Sequence, residues 1–267
     1  MERYFDGLTS DSVDISYANV RLAEDAEYDP ALDPKGRLFS FLSRKERGER
    51  VSGAWRTSPL EFVTTQQLNS EELHVHLMDY IDRCGNISRL VKIGKSVQGR
   101  PIEALEISNT VKKGVQDGKP HVKLVAGIHG DETAGRIVSL GMAEWICENY
   151  KSDPRARDIV DKTHLWILPD MNPDGYTLRT RYNANGRDLN RDFPDQFKDN
   201  GINSKLDGRQ PETQTIMKWT MEYPFVSSLA FHGGDLVVSY PLDGTPDGRS
   251  YYMRSADDAS FIHLARE

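Results

Sequence analysis

Two histidines and one glutamate stand at positions from which side chains can meet. In LVAGIHGDETAGR, residues 124–136, an apolar run ends at His129, and Glu132 follows three residues later at the start of a helical pattern. An imidazole and a carboxylate spaced this way across a strand-to-helix turn can converge on one cation, and Zn²⁺ takes N and O ligands at about 2.0–2.2 Å. A third ligand must come from another strand end. FVSSLAFHGG supplies His232, which closes a second apolar run and precedes two glycines that let a backbone approach closely. Taken alone, His-x-x-Glu reads as a capped helix beside a structural histidine; His232 turns the reading toward a metal.

Between these two arms lies RTRYNANGRDLNRDFPDQF, residues 179–197, rich in Asn, Gly and Arg, after the turn signal DMNPDGY. Loops this long inside a compact domain are uncommon unless they serve a function. Arginine forks suit carboxylates and developing oxyanions. The alternative is a solvated loop whose arginines pair internally with Asp188, Asp192 and Asp195.

The elements that must position these residues follow from periodicity. LNSEELHVHLMDYIDRCG predicts a helix capped by Asn69 or Ser70, with Leu73, Leu77, Tyr80 and Ile81 on one face and Gly85 stopping it. His74 and His76 sit two apart and point different ways, which reads as surface or helix-edge histidines. RLVKIGKSVQGRPIEALEIS predicts an antiparallel hairpin about Val-Gln-Gly. HVKLVAGI and THLWILP read as buried strands, TAGRIVSLGMAEWICENY and ETQTIMKWTMEY as helices, and FVSSLAF and DLVVSY as two closing strands. Strands alternating with helices indicate an α/β sheet with helices on its faces. The carboxyl ends of such strands are where sites form.

Bulk properties narrow the classes. The length suits one α/β domain. A net charge of -7 argues against nucleic acid or an anionic membrane as partner, and no apolar run is long enough for a membrane span. Residues 1–60 are polar, read as a leader without a fold of its own, and carry no signal-peptide core; the chain proper is 61–267. Two cysteines, Cys84 and Cys147, make no disulfide framework and are expected as buried free thiols. Asn86-Ile87-Ser88 forms a sequon that can accept a glycan in the secretory pathway.

Together, His129-Gly130-Asp131-Glu132, DMNPDGY, GRDLNRDFPDQF and FHGG followed by VVSYPLD resemble the zinc metallocarboxypeptidases of the N/E (regulatory) subfamily, in particular its carboxypeptidase D branch. The resemblance spans residues 62–267. It implies a mixed, mostly parallel sheet with helices on both faces, and one Zn²⁺ per chain held by His129, Glu132 and His232. It further implies that Asp188 orients His129, that Arg181 polarises the scissile carbonyl, and that Asn190 and Arg191 grip the substrate's terminal carboxylate. Asp243, in YPLD, falls where family members that release Arg or Lys keep the acid of the side-chain pocket. The implied partners are peptide or protein C-termini ending in Arg or Lys, and the implied location is extracellular or secretory. The family also uses a later glutamate for proton transfer; the single Glu after His232 is Glu267, in a stretch that resembles the start of a family helix. The expectation is therefore the N-terminal two thirds of a catalytic domain, either an enzyme or a zinc- and peptide-binding fragment lacking that base. A zinc deacylase of the aspartoacylase type shares the ligand logic but fits the contexts of Asn190, Arg191 and Asp243 less well.

Overall fold

The computed structural model describes residues 67–111, 117–195, 197, 206–234, 237–242, 244–249 and 251–266. The leader expected over 1–60, Asp243 and Glu267 lie outside them. The described residues fall into two compact units, one comprising 67–192 and 208–233, the other comprising those within 193–207 and 234–266.

The first unit holds the sheet. Helix α1 (Ser70–Cys84) opens it with a capping box: the Asn69 side chain accepts from the backbone of Glu71 and Glu72, while Glu72 accepts from the Asn69 N–H. This satisfies helix donors that would otherwise lack partners. Strands β1 (Ser88–Lys95) and β2 (Pro101–Ile107) form the expected antiparallel hairpin. Its turn closes through Gly99, whose φ of +80° is the left-handed conformation glycine tolerates. β3 (His121–Val125), α2 (Ala134–Asn149), α3 (Pro154–Lys162) and β4 (His164–Leu168) follow. The short α4 (Pro173–Leu178), a 3₁₀ turn at Leu189–Arg191, α5 (Pro211–Glu222) and β5 (Phe225–Ala230) complete the unit.

The strand order is β1-β2-β4-β3-β5. β2 runs antiparallel to both neighbours, whereas β4, β3 and β5 are mutually parallel, so four of the five strands share one direction. This is the mixed α/β sheet expected. One face carries Leu105, Ile107, Leu124, Leu165 and Ile167, packed with Tyr80, Ile146 and Val160 of α1, α2 and α3. The other presents Trp166 and Phe225 to Trp219 of α5 in edge-on aromatic contacts. Strand alternation assigns each residue to its face.

Three expectations are corrected. Cys84 and Cys147 form a disulfide, with their Cα atoms 5.9 Å apart where the end of α1 meets α2. Their 63-residue separation gives no local signal of that pairing. His76 is buried against Glu144, with Nε2 3.2 Å from the carboxylate, because it lies three and four residues from Leu73 and Tyr80 on the apolar face; His74 is exposed and pairs with Glu103. Val237–Tyr240 of DLVVSY forms no strand, and Val237 and Val238 are exposed. β5 itself is an edge among the described strands, with Val226 69% accessible.

The second unit contains α6 (Asp258–Arg266), with Phe261 stacked on Tyr240. No helix among the described residues is long and apolar enough to cross a membrane.

Candidate metal centre

β3 delivers His129 four residues past its last residue, and Glu132 follows in the turn before α2. Two local devices hold that turn. Asn172 caps α4 by accepting from the Gly175 N–H at 3.0 Å and donates to the Ile128 carbonyl at 3.3 Å, tying α4 to the β3 exit. Gly130 then lies so close to α4 that a Cβ there would fall 1.9 Å from the Gly175 carbonyl carbon. Neither role was read from the sequence, although Asn before Pro-Asp-Gly is a recognisable helix start.

β5 delivers His232 two residues beyond its end. Glu132 receives both histidines, His129 Nδ1 at 2.7 Å on one oxygen and His232 Nδ1 at 2.9 Å on the other. One donor atom from each of the three residues lies within 4.8 Å of the others. The two imidazoles are 5.1 Å apart and tilted by 46°, so the planes holding their lone pairs intersect. His129 is 2% exposed, Glu132 half-buried and His232 open to solvent, which leaves one accessible side.

Asp188 faces the far side of His129, its Oδ1 3.1 Å from Nε2. The same carboxylate accepts from Arg181 Nε at 2.9 Å and from the Asn190 N–H at 2.9 Å. With Nε2–H committed to Asp188, the Nδ1 lone pair points at Glu132, a juxtaposition that a shared cation satisfies. A Zn²⁺ fits that requirement and the N, N, O donor set. Burial works against the Glu132 charge, but nearby His129 and hydrogen bonds from His232 and the Gly233 N–H hold its carboxyl well below the usual range. Asp188 is lowered likewise, Arg181 and His129 outweighing burial.

Arg181 extends one guanidinium nitrogen to 3.3 Å from His129 Nδ1 and 3.5 Å from Glu132 Oε1. The sequence therefore brought His129, Glu132, His232, Asp188 and Arg181 together. Asn190 and Arg191 occupy the exposed 3₁₀ turn next to Asp188. The Arg181–Asp188 pair also realises part of the internally paired alternative. Asp192 pins the loop's end by accepting from the Gln210 N–H at 2.7 Å.

The chain was compared with known proteins. The family model for zinc carboxypeptidase matches residues 74–267. The chain belongs to the zinc carboxypeptidase family. Carboxypeptidase SOL1 of Arabidopsis thaliana is 47% identical over 204 residues, covering 76% of this chain and 41% of that protein. Carboxypeptidase D of Anas platyrhynchos is 40% identical over 242 residues, 87% of this chain and 17% of the relative. The chain thus spans less than half the length of both. The crystal structure of thrombin activatable fibrinolysis inhibitor superposes with a TM-score of 0.65 at 17% identity, over 85% of this chain and 60% of that one, a likeness of fold. Zinc is the metal the family implies.

A second group, Glu106, His121 and His164, also gathers three potential ligands. Its imidazoles stack 4.3 Å apart and 12° from parallel. Lone pairs in two parallel layers cannot share an ion at about 2.0–2.1 Å from each nitrogen. His164 instead bridges buried Glu106 at 2.6 Å and exposed Asp117 at 3.1 Å.

Proposed function

We propose that this chain carries the zinc centre of a metallocarboxypeptidase that removes basic residues, Arg or Lys, from peptide and protein C-termini. The observation that carries the reading is the convergence of His129, Glu132 and His232, with His129 held from behind by Asp188. In this reading those three residues hold the metal, and Asp188 keeps the His129 ring in the tautomer that offers Nδ1. Bound zinc supplies Lewis acidity to the scissile carbonyl. Arg181 stands beside the ligands, one guanidinium nitrogen 3.3 Å from His129 Nδ1, and donates to the oxyanion that develops there. Asn190 and Arg191 grip the terminal carboxylate, for which a guanidinium fork is suited. Asp243 receives the cationic side chain; a carboxylate in that pocket rejects apolar residues by leaving its charge unpaired.

We place the protein in the secretory pathway or outside the cell, since a disulfide such as Cys84–Cys147 persists in oxidising compartments. A second reading is a zinc- and peptide-binding chain that does not turn over. One experiment separates the two. Blocked dipeptides ending in Arg and in Phe are offered with and without chelator, and zinc per chain is measured. Chelator-sensitive release of Arg over Phe supports the enzyme; bound zinc without release supports the binding chain; faster release of Phe refutes the basic specificity.

A further inference from the structure

Asn86 lies in the turn between α1 and β1, exposed, two residues after the disulfide-bonded Cys84. Its side chain borders an open groove of about 730 Å³ walled by Met78, Ile81 and Leu90, so a bulky substituent meets space rather than packed neighbours. The rest of the sequon is shut away. Ile87 and Ser88 are buried, Ser88 Oγ donates to the Cys84 carbonyl at 2.7 Å, and Ser88 is already the first paired residue of β1, opposite Ile107. The folded chain thus offers the asparagine while withholding the hydroxyl that makes the tripeptide an acceptor.

We propose that Asn86 is an N-glycosylation site, modified before β1 docks on β2 and the Cys84–Cys147 disulfide closes. The co-donor is a lipid-linked oligosaccharide. A bond forms from the Asn86 amide nitrogen to the anomeric carbon of the first sugar, the bond from that carbon to the lipid pyrophosphate breaks, and the amide loses one proton as the pyrophosphate leaves. The order of events follows from the structure, because docking of β1 on β2 buries Ser88, and its Oγ is taken up by the carbonyl of Cys84, the residue the disulfide fixes to α2. The inference rests on the secretory location proposed above.

The test uses the full-length product made in a eukaryotic secretory host. Enzymatic removal of N-glycans in heavy-oxygen water, followed by peptide mapping without reduction, reads position 86 and the disulfide in one sample. The expected result is heavy-oxygen conversion at Asn86 in most chains, together with a linked Cys84–Cys147 peptide. An unconverted Asn86 beside an intact disulfide overturns the glycan and leaves the secretory location standing. An unconverted Asn86 with both thiols free to alkylate overturns both. Cys147→Ser, which cannot close the disulfide, should show occupancy equal to or above the parent, and a fall would overturn the proposed order. Asn86 occupancy is read on the peptide, so neither answer depends on the variant folding.

Discussion

Replacing Asp188 by Asn separates orientation from ligation at the proposed zinc centre. The carboxylate now accepts three hydrogen bonds, from His129 Nε2, Arg181 Nε and the Asn190 backbone, at 3.1, 2.9 and 2.9 Å. An amide has one accepting oxygen, and its NH₂ would face a donor on the other side. Either His129 or Arg181 therefore loses its partner, and a His129 ring free to take the other tautomer presents N–H instead of a lone pair to the metal. Loss of such an outer partner costs about 10–100-fold in metal affinity, or about 1.4–2.7 kcal/mol. The control is Arg181→Met. Its guanidinium lies 3.3 Å from His129 Nδ1, so removing that positive charge should leave zinc binding unchanged or tighter. Competition with a zinc-responsive chelator dye at fixed pH measures both. Opposite behaviour of the two variants is the expected result. Equal weakening, or an Asp188→Asn affinity within about twofold of the parent, would show that Asp188 does not orient His129.

Lys123 is almost buried, bonded to Thr220 at 2.5 Å and lying over the Phe225 and Trp219 rings, and burial lowers its pKa to about 8. Its unfolded value is higher, so the unfolded chain binds more protons between about pH 8 and 10.5, and stability rises across that window by up to about 3 kcal/mol. Lys123→Met should flatten that rise and stabilise the protein at neutral pH, as urea unfolding at pH 7 and pH 10 will read; an unchanged slope refutes it. The disulfide closes a 63-residue separation, for which loop entropy gives about 4 kcal/mol. A reductant that leaves the parent's urea midpoint where it was would contradict this. Gly130→Ala places a Cβ 1.9 Å from backbone in α4, so it should cost at least the roughly 1–3 kcal/mol of overpacking and weaken zinc binding as the His129 turn shifts. Equilibrium unfolding and the same dye competition test it, and a neutral result would show that α4 yields easily.

What the sequence made legible was local. The capped start of α1, the hairpin turn at Gly99 and the strand ends before His129 and His232 each depend on residues within a few positions. Asp188 and Arg181 were singled out through motif resemblance; in the fold they lie 3.1 Å from His129 Nε2 and 3.3 Å from His129 Nδ1. Contacts between distant elements left no such trace. Nothing in the spacing of Cys84 and Cys147 says that α1 ends against α2, and Asn172 gains its second role only when α4 meets the β3 exit. DLVVSY has strand composition, but composition does not supply a neighbouring strand, and β-propensity largely reflects such packing.

The two histidine clusters show why position along a strand decides what like residues can do. Each combines two imidazoles and one glutamate. His121 and His164 are register partners on the adjacent parallel strands β3 and β4, so pleating points them to one face, and they stack 12° from parallel. Stacked rings can share charge with flanking carboxylates but cannot aim two lone pairs at one point. His129 and His232 lie past the ends of β3 and β5, where the backbone is released from the ladder and can turn each ring inward, and they meet at 46° over Glu132. The carboxyl ends of the strands are thus where this sheet can build a converging site. Its interior uses the same residues to neutralise buried charge.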